Sequence, residues 1–146
     1  MSKLTPQQEA RRNRMGLLAR ANPARLAQLL PDLPAHNLLR PPETGSVMVQ
    51  GRTGASGAPF NLGEMTVTRC TLTLGDGTVG HAYVQGRDRD HALRAAVLDA
   101  LDEAGLEHVA PFLAALRADE AERHQKRAEK AAATKVEFFT LVRGED

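Results

Sequence analysis

At 146 residues and 15.8 kDa the chain has room for one domain. Its 42% hydrophobic content includes 23 alanines but no Ile or Trp, so the core is thin and a second protein chain covering apolar surface is expected. A net charge of +1 with 3% aromatics argues against nucleic acid as a partner, one cysteine excludes a disulfide framework, and no apolar run nears the roughly 20 residues of a membrane helix.

Thr5-Pro6-Gln7-Gln8 has the pattern of a capping box with proline in the first turn, and Met15, Leu18 and Ala19 give the helix it opens an apolar stripe. The first residues, Met1 to Arg12, lack the apolar stretch of a signal peptide, and the expected location is cytoplasmic. Asn22-Pro23 repeats the cap signal for a short helix carrying Leu26, Leu29 and Leu30, which Pro31 and Pro34 end. Helices therefore occupy 5–30, and 31–45, with Pro41-Pro42 inside it, reads as an extended connector. Strands are expected near 46–52, 64–74 and 78–87, the last two joined by Gly75-Asp76-Gly77. A three-residue loop with glycine last suits a type I turn plus bulge, which pairs Leu74 with Thr78 and Thr71 with His81. Cys70, Leu72, Leu74, Ala82 and Val84 then share one face, and Arg69, Thr71, Thr73 and His81 the other.

Asp88 or Asp90 caps a helix whose Leu93, Val97, Leu101 and Ala104 form a stripe that stops at Gly105. Pro111 opens another helix over 111–133, so helices fill 89–133. From Arg117 to Lys130 alanine is its only apolar residue, and pairs such as Asp119/Arg123 and Glu122/Lys126 support it locally. Val136, Phe138 and Val142 alternate with Phe139 and Leu141, which predicts a last strand over 135–143 buried on both faces. The fold class is α+β: one domain over 1–146 with an antiparallel sheet of about four strands, helices packed on one face.

Residues 1–60 carry 8 basic and 3 acidic side chains and residues 61–146 carry 11 and 15. That asymmetry suits a local anion site or a charge-steered interface. The glycine-rich segment 51–63 lets backbone N–H groups approach phosphate oxygens, but it lacks a P-loop pattern and a following helix, so a partner-docking loop explains it as well. Arg52, Arg69 and Arg87 lie on or beside the strands, and a planar guanidinium suits phosphate and phosphonate oxygens. Solubility and ion pairs with Glu64 or Asp88 are the plainer reading. His81 has an acid–base pKa range but sits beside Thr71, where a structural hydrogen bond also accounts for it. The substrate-binding candidates are thus Arg52, Arg69, His81 and Arg87, with no catalytic residue assigned. His36, His81, His91, His108 and His124 show no metal spacing, and no metal is expected. Cys70 falls on the apolar face, where cysteine acts as a small hydrophobe.

The blocks Arg40-Pro41-Pro42-Glu43-Thr44-Gly45, Gly57 through Cys70, Asp76 through Asp88 and Lys135 through Asp146 closely resemble the PhnG family, a component of the bacterial carbon–phosphorus lyase system. Where that family often has two adjacent glycines this chain has Gly54-Ala55, so no detailed loop conformation carries over. The resemblance implies a cytoplasmic complex with the system's subunits H, I and J and with ATPase-like subunits K and L. It implies that this chain acts with H, I and L when methylphosphonate displaces adenine from ATP, giving α-D-ribose 1-methylphosphonate 5-triphosphate. ATP is then a substrate of the complex, and this chain needs no cofactor. Two roles stay open: a substrate-positioning component, or a pure scaffold for the I component. A stand-alone enzyme using His81 or Cys70 is the third.

Overall fold

The computed structural model describes residues 3–52, 54 and 57–143, with only the backbone for 141–143. Helix α1 spans Pro6–Arg20 and α2 spans Pro23–Leu29. Three strands follow, β1 His36–Arg52, β2 Pro59–Leu74 and β3 Val79–Gln85, then α3 Arg89–Glu103, a 3₁₀ turn Glu107–Val109 and α4 Ala110–Arg143. The sheet is antiparallel in the order β1-β2-β3. The α+β class stands.

The capping signals work as the residues suggest. Thr5 Oγ1 accepts from the Gln8 N–H while Gln8 Oε1 accepts from the Thr5 N–H; Asn22 accepts from the Ala24 N–H. Asp88 rather than Asp90 caps α3, accepting from the His91 N–H. The hairpin takes the register set by its glycine turn. Thr71 pairs with His81 and Cys70 with Ala82, and the Leu74 N–H donates to the Thr78 carbonyl. Gly77 has φ +88°, a conformation that glycine adopts without strain.

Two expected elements are corrected. The connector 31–45 belongs mostly to β1, which pairs with β2 from His36 to Arg52. Proline cannot donate to the ladder, and the register shifts between Arg40 and Glu43, where Pro41 and Pro42 sit on this edge strand. The segment 135–143 is no strand; it is the last part of α4. Ala131-Ala132-Ala133 carries the helix on at the highest intrinsic propensity. The spacing of Val136 and Phe139 fits a helical face as well as Val136, Phe138 and Val142 fit a strand face.

The core lies on one side of the sheet. Cys70, Leu72, Leu74, Ala82 and Val84 meet Leu17, Leu18 and Leu26 of the first two helices and the alanine-rich face of α3. That composition has a steric purpose. A Cβ on Gly80 would stand 2.1 Å from the Ala96 carbonyl oxygen and 2.6 Å from the Ala100 Cβ. Small residues let α3 lie directly against β3. Close approach at this contact complements the leucines that fill the rest of the core.

A buried ion cluster ties the layers. Asp99 is fully buried and accepts from Arg11 Nη2 at 2.8 Å, Arg14 Nε at 2.8 Å and the His81 backbone N–H at 2.9 Å. Arg14 also reaches Asp102 and Glu103. Burial disfavours the charged Arg14 guanidinium, but the bond to Glu103 and the Asp99 charge outweigh it and its pKa rises. Every oxygen of Asp99 therefore has a donor, the condition under which a buried carboxylate is tolerated.

Candidate functional site

The four predicted residues do not gather in one place. Arg69 and His81 share the sheet face opposite the core, through the pairs Arg69–Tyr83 and Thr71–His81. Arg87 is exposed just after β3. Arg52 pairs with Pro59 at the far end of the ribbon, ten residues along β2 from Arg69. At about 3.3 Å per residue that is roughly 33 Å, too far for one small ligand to span. In the segment 51–63, residues 53, 55 and 56 lie outside the described residues. His81 is exposed, and its Nδ1 lies 3.3 Å from the Thr71 hydroxyl. Arg69 Nε is buried with no hydrogen-bond partner among the described residues. Cys70 is buried in the core, and that burial pushes its thiol up to about 11. A thiol held protonated is no nucleophile at neutral pH.

A groove of about 690 Å³ opens beside this face. Met65 and Val67 of β2 and Tyr83 and Gln85 of β3 line one side, and Ala19 and Arg20 of α1 line another. His91 sits at the start of α3, its Nε2 2.8 Å from the Leu18 carbonyl oxygen. The remaining wall is α4, which contributes Glu120, Arg123, His124 and Arg127. These four fall at i, i+3, i+4 and i+7, one stripe of the helix.

The charges in the groove are unevenly matched. Glu120 accepts from Arg20 at 3.1 Å and has His124 Nε2 at 3.7 Å. Helical spacing alone pairs Arg123 with Asp119, but Asp119 instead accepts from Arg25 of α2 at 3.1 Å. Tertiary packing redirects the carboxylate to another helix. Glu122 does pair with Lys126, at 3.1 Å. Arg123 and Arg127 have no carboxylate within reach among the described residues. The stripe is readable in the sequence as helical spacing. The wall it faces is not.

The family model described as phosphonate metabolism protein PhnG matches residues 9–144. The chain belongs to the PhnG family. A curated relative from Rhizobium meliloti (strain 1021), named alpha-D-ribose 1-methylphosphonate 5-triphosphate synthase subunit PhnG, is 46% identical over 144 residues, covering 93% of this chain and 90% of the relative. The blocks that carry the PhnG resemblance fall on β1, on the length of β2, across the turn into β3 and on the end of α4. In this PhnG chain no three metal-ligating side chains cluster among the described residues, and no described helix is long and apolar enough to cross a membrane.

Proposed function

We propose that the chain is an accessory component of the synthase whose name its relative carries. The complex joins methylphosphonate to ATP. A phosphonate oxygen forms a bond to ribose C1′, the C1′–N9 bond breaks, and adenine departs with the electron pair. Subunits H, I and L of the carbon–phosphorus lyase system are its partners in this step, and J belongs to the same assembly. This chain holds its substrate-bearing partners in place and supplies no bond-making group.

The observation that carries this reading is the amount of apolar surface left bare. Leu62 on the β1–β2 ribbon is 63% exposed, and Phe138 near the end of α4 is 63% exposed. Met48, Phe60, Val136 and Phe139 are exposed beside them. Apolar groups arranged along two projecting elements mark surfaces meant to be covered. Those same surfaces favour the second reading, a scaffold for the I component with no ligand contact.

Reconstitution tests both. Adenine release is measured with fixed H, I and L while this chain is titrated in. Turnover should rise from near zero and saturate at a fixed ratio. Full turnover without the chain, or adenine release by the chain alone, overturns the reading.

A further inference from the structure

Like charges one helical turn apart repel, at a cost of a few tenths of a kcal/mol when nothing lies between them. Along α4 several charges are paired: Lys126 with Glu122, Glu120 with Arg20 and Asp119 with Arg25. Of the arginines in the groove lining, Arg20 has Glu120, whereas Arg123 and Arg127 stand apart from these pairs. They are four residues from one another, on the groove side, with no acid partner among the described residues. The same groove is lined by the apolar side chains of Val67 and Met65 and by Tyr83. Two guanidinium forks and one aromatic ring in an otherwise partly apolar groove fit a ligand that has phosphate groups at one end and a ring at the other. At about 690 Å³ the groove has the size of an ordinary small-molecule site. Glu120 is the single carboxylate in its lining among the described residues, and its pair with Arg20 offsets its repulsion of an anion.

We propose that this groove binds the polyphosphate of a nucleoside triphosphate, with Arg123 and Arg127 holding phosphate oxygens and Tyr83 lying along the nucleoside. This rests on the synthase reading for the choice of ligand, and it decides between positioning and scaffolding in favour of positioning. Calorimetric titration of ATP and of inorganic triphosphate into the full-length chain at low ionic strength tests it without any turnover. Both probes should bind, ATP more tightly. Arg123→Gln with Arg127→Gln should weaken each at least about tenfold, the loss of a charge-assisted contact. Lys at both positions should recover only part, because an ammonium cannot form the bidentate fork. Lys3→Gln with Arg12→Gln removes the same charge from outside the groove and should change little. Tyr83→Leu should bring ATP down to the affinity of inorganic triphosphate.

Absence of binding overturns the proposal, as does equal weakening by the Lys3/Arg12 variant, which would mean diffuse attraction. If neither probe binds and the Arg123/Arg127 variant instead loses its hold on the I component, the groove takes an acidic protein segment. In either case saturable adenine release in the reconstitution leaves the accessory reading standing, so the two fail separately.

Discussion

The body of this chain and its two projections are built on opposite terms. In the body, α3 lies against β2 and β3 so closely that Gly80 has no room for a side chain, and a buried carboxylate is matched donor by donor. The β1–β2 ribbon and the far part of α4 have neither. No residue of β1 is buried, and residues 121–140 of α4 are exposed except for a half-buried Arg123. A helix of 34 residues is roughly 51 Å long, well beyond what the body can cover. A two-stranded ribbon is marginal by itself. The body is specified by its own contacts, and the projections await contacts from elsewhere. A thin composition is thus no sign of a weak fold; it is spent where helix and sheet touch.

That contrast can be broken at several points. Replacing Asp99 with Ala takes the acceptor from Arg11, Arg14 and the His81 N–H at once and should destabilise the chain by about 3 kcal/mol, read from the midpoint of urea unfolding. A midpoint near wild type would show that the cluster does not hold α1 to the body. Gly80→Ala should cost about 3 kcal/mol, the upper end of overpacking, because the nearest obstacle is the backbone oxygen of Ala96. Cys70→Ala should cost about 1 kcal/mol and leave turnover of the assembled complex intact. Loss of turnover with normal assembly would make the thiol functional after all.

Acid should act on the body alone. The bond from Arg14 holds Glu103 below the ordinary glutamate value of 4.5 against the opposing effect of burial, with a lesser contribution from the charge of Arg11. Its contribution is present above pH 4.5 and is lost as pH falls through the lower folded value. Glu103→Gln should therefore flatten the acid end of the stability–pH curve, and an unchanged curve would remove this group from the account. The smallest effect is expected in the projections. Leu62→Ser or Phe139→Ser should shift the stability of the isolated chain by no more than about 0.5 kcal/mol. The same changes should weaken assembly with the partner proteins, measured by pull-down. If they unfold the chain instead, the projections are part of its core.

Local chemistry is legible in this sequence and long-range pairing is not. The Thr5–Gln8 capping box, the Asp88 cap and the Leu74–Thr78 register each follow from residues within a few positions of each other. Arg14 and Asp99 lie 85 positions apart, and nothing in either neighbourhood marks the pair. The strand expected at 135–143 fails because alternation over a short apolar run does not separate strand from helix, and the alanines before it favour the helix. β1 reads too short because its prolines look like an end, whereas an edge strand absorbs them as a bulge. Of the site, Arg69 falls beside the groove through its pair with Tyr83, while Arg123 is masked by a local partner that tertiary packing assigns to Arg25.

Tyr83 has an optical consequence. The chain contains one tyrosine and no tryptophan, so its ultraviolet emission comes almost wholly from a single ring. That ring lines the groove and is 43% exposed. A molecule entering the groove changes the surroundings of the protein's main intrinsic fluorophore. The unlabelled chain is therefore its own reporter, silent to events at the ribbon and at the far end of α4.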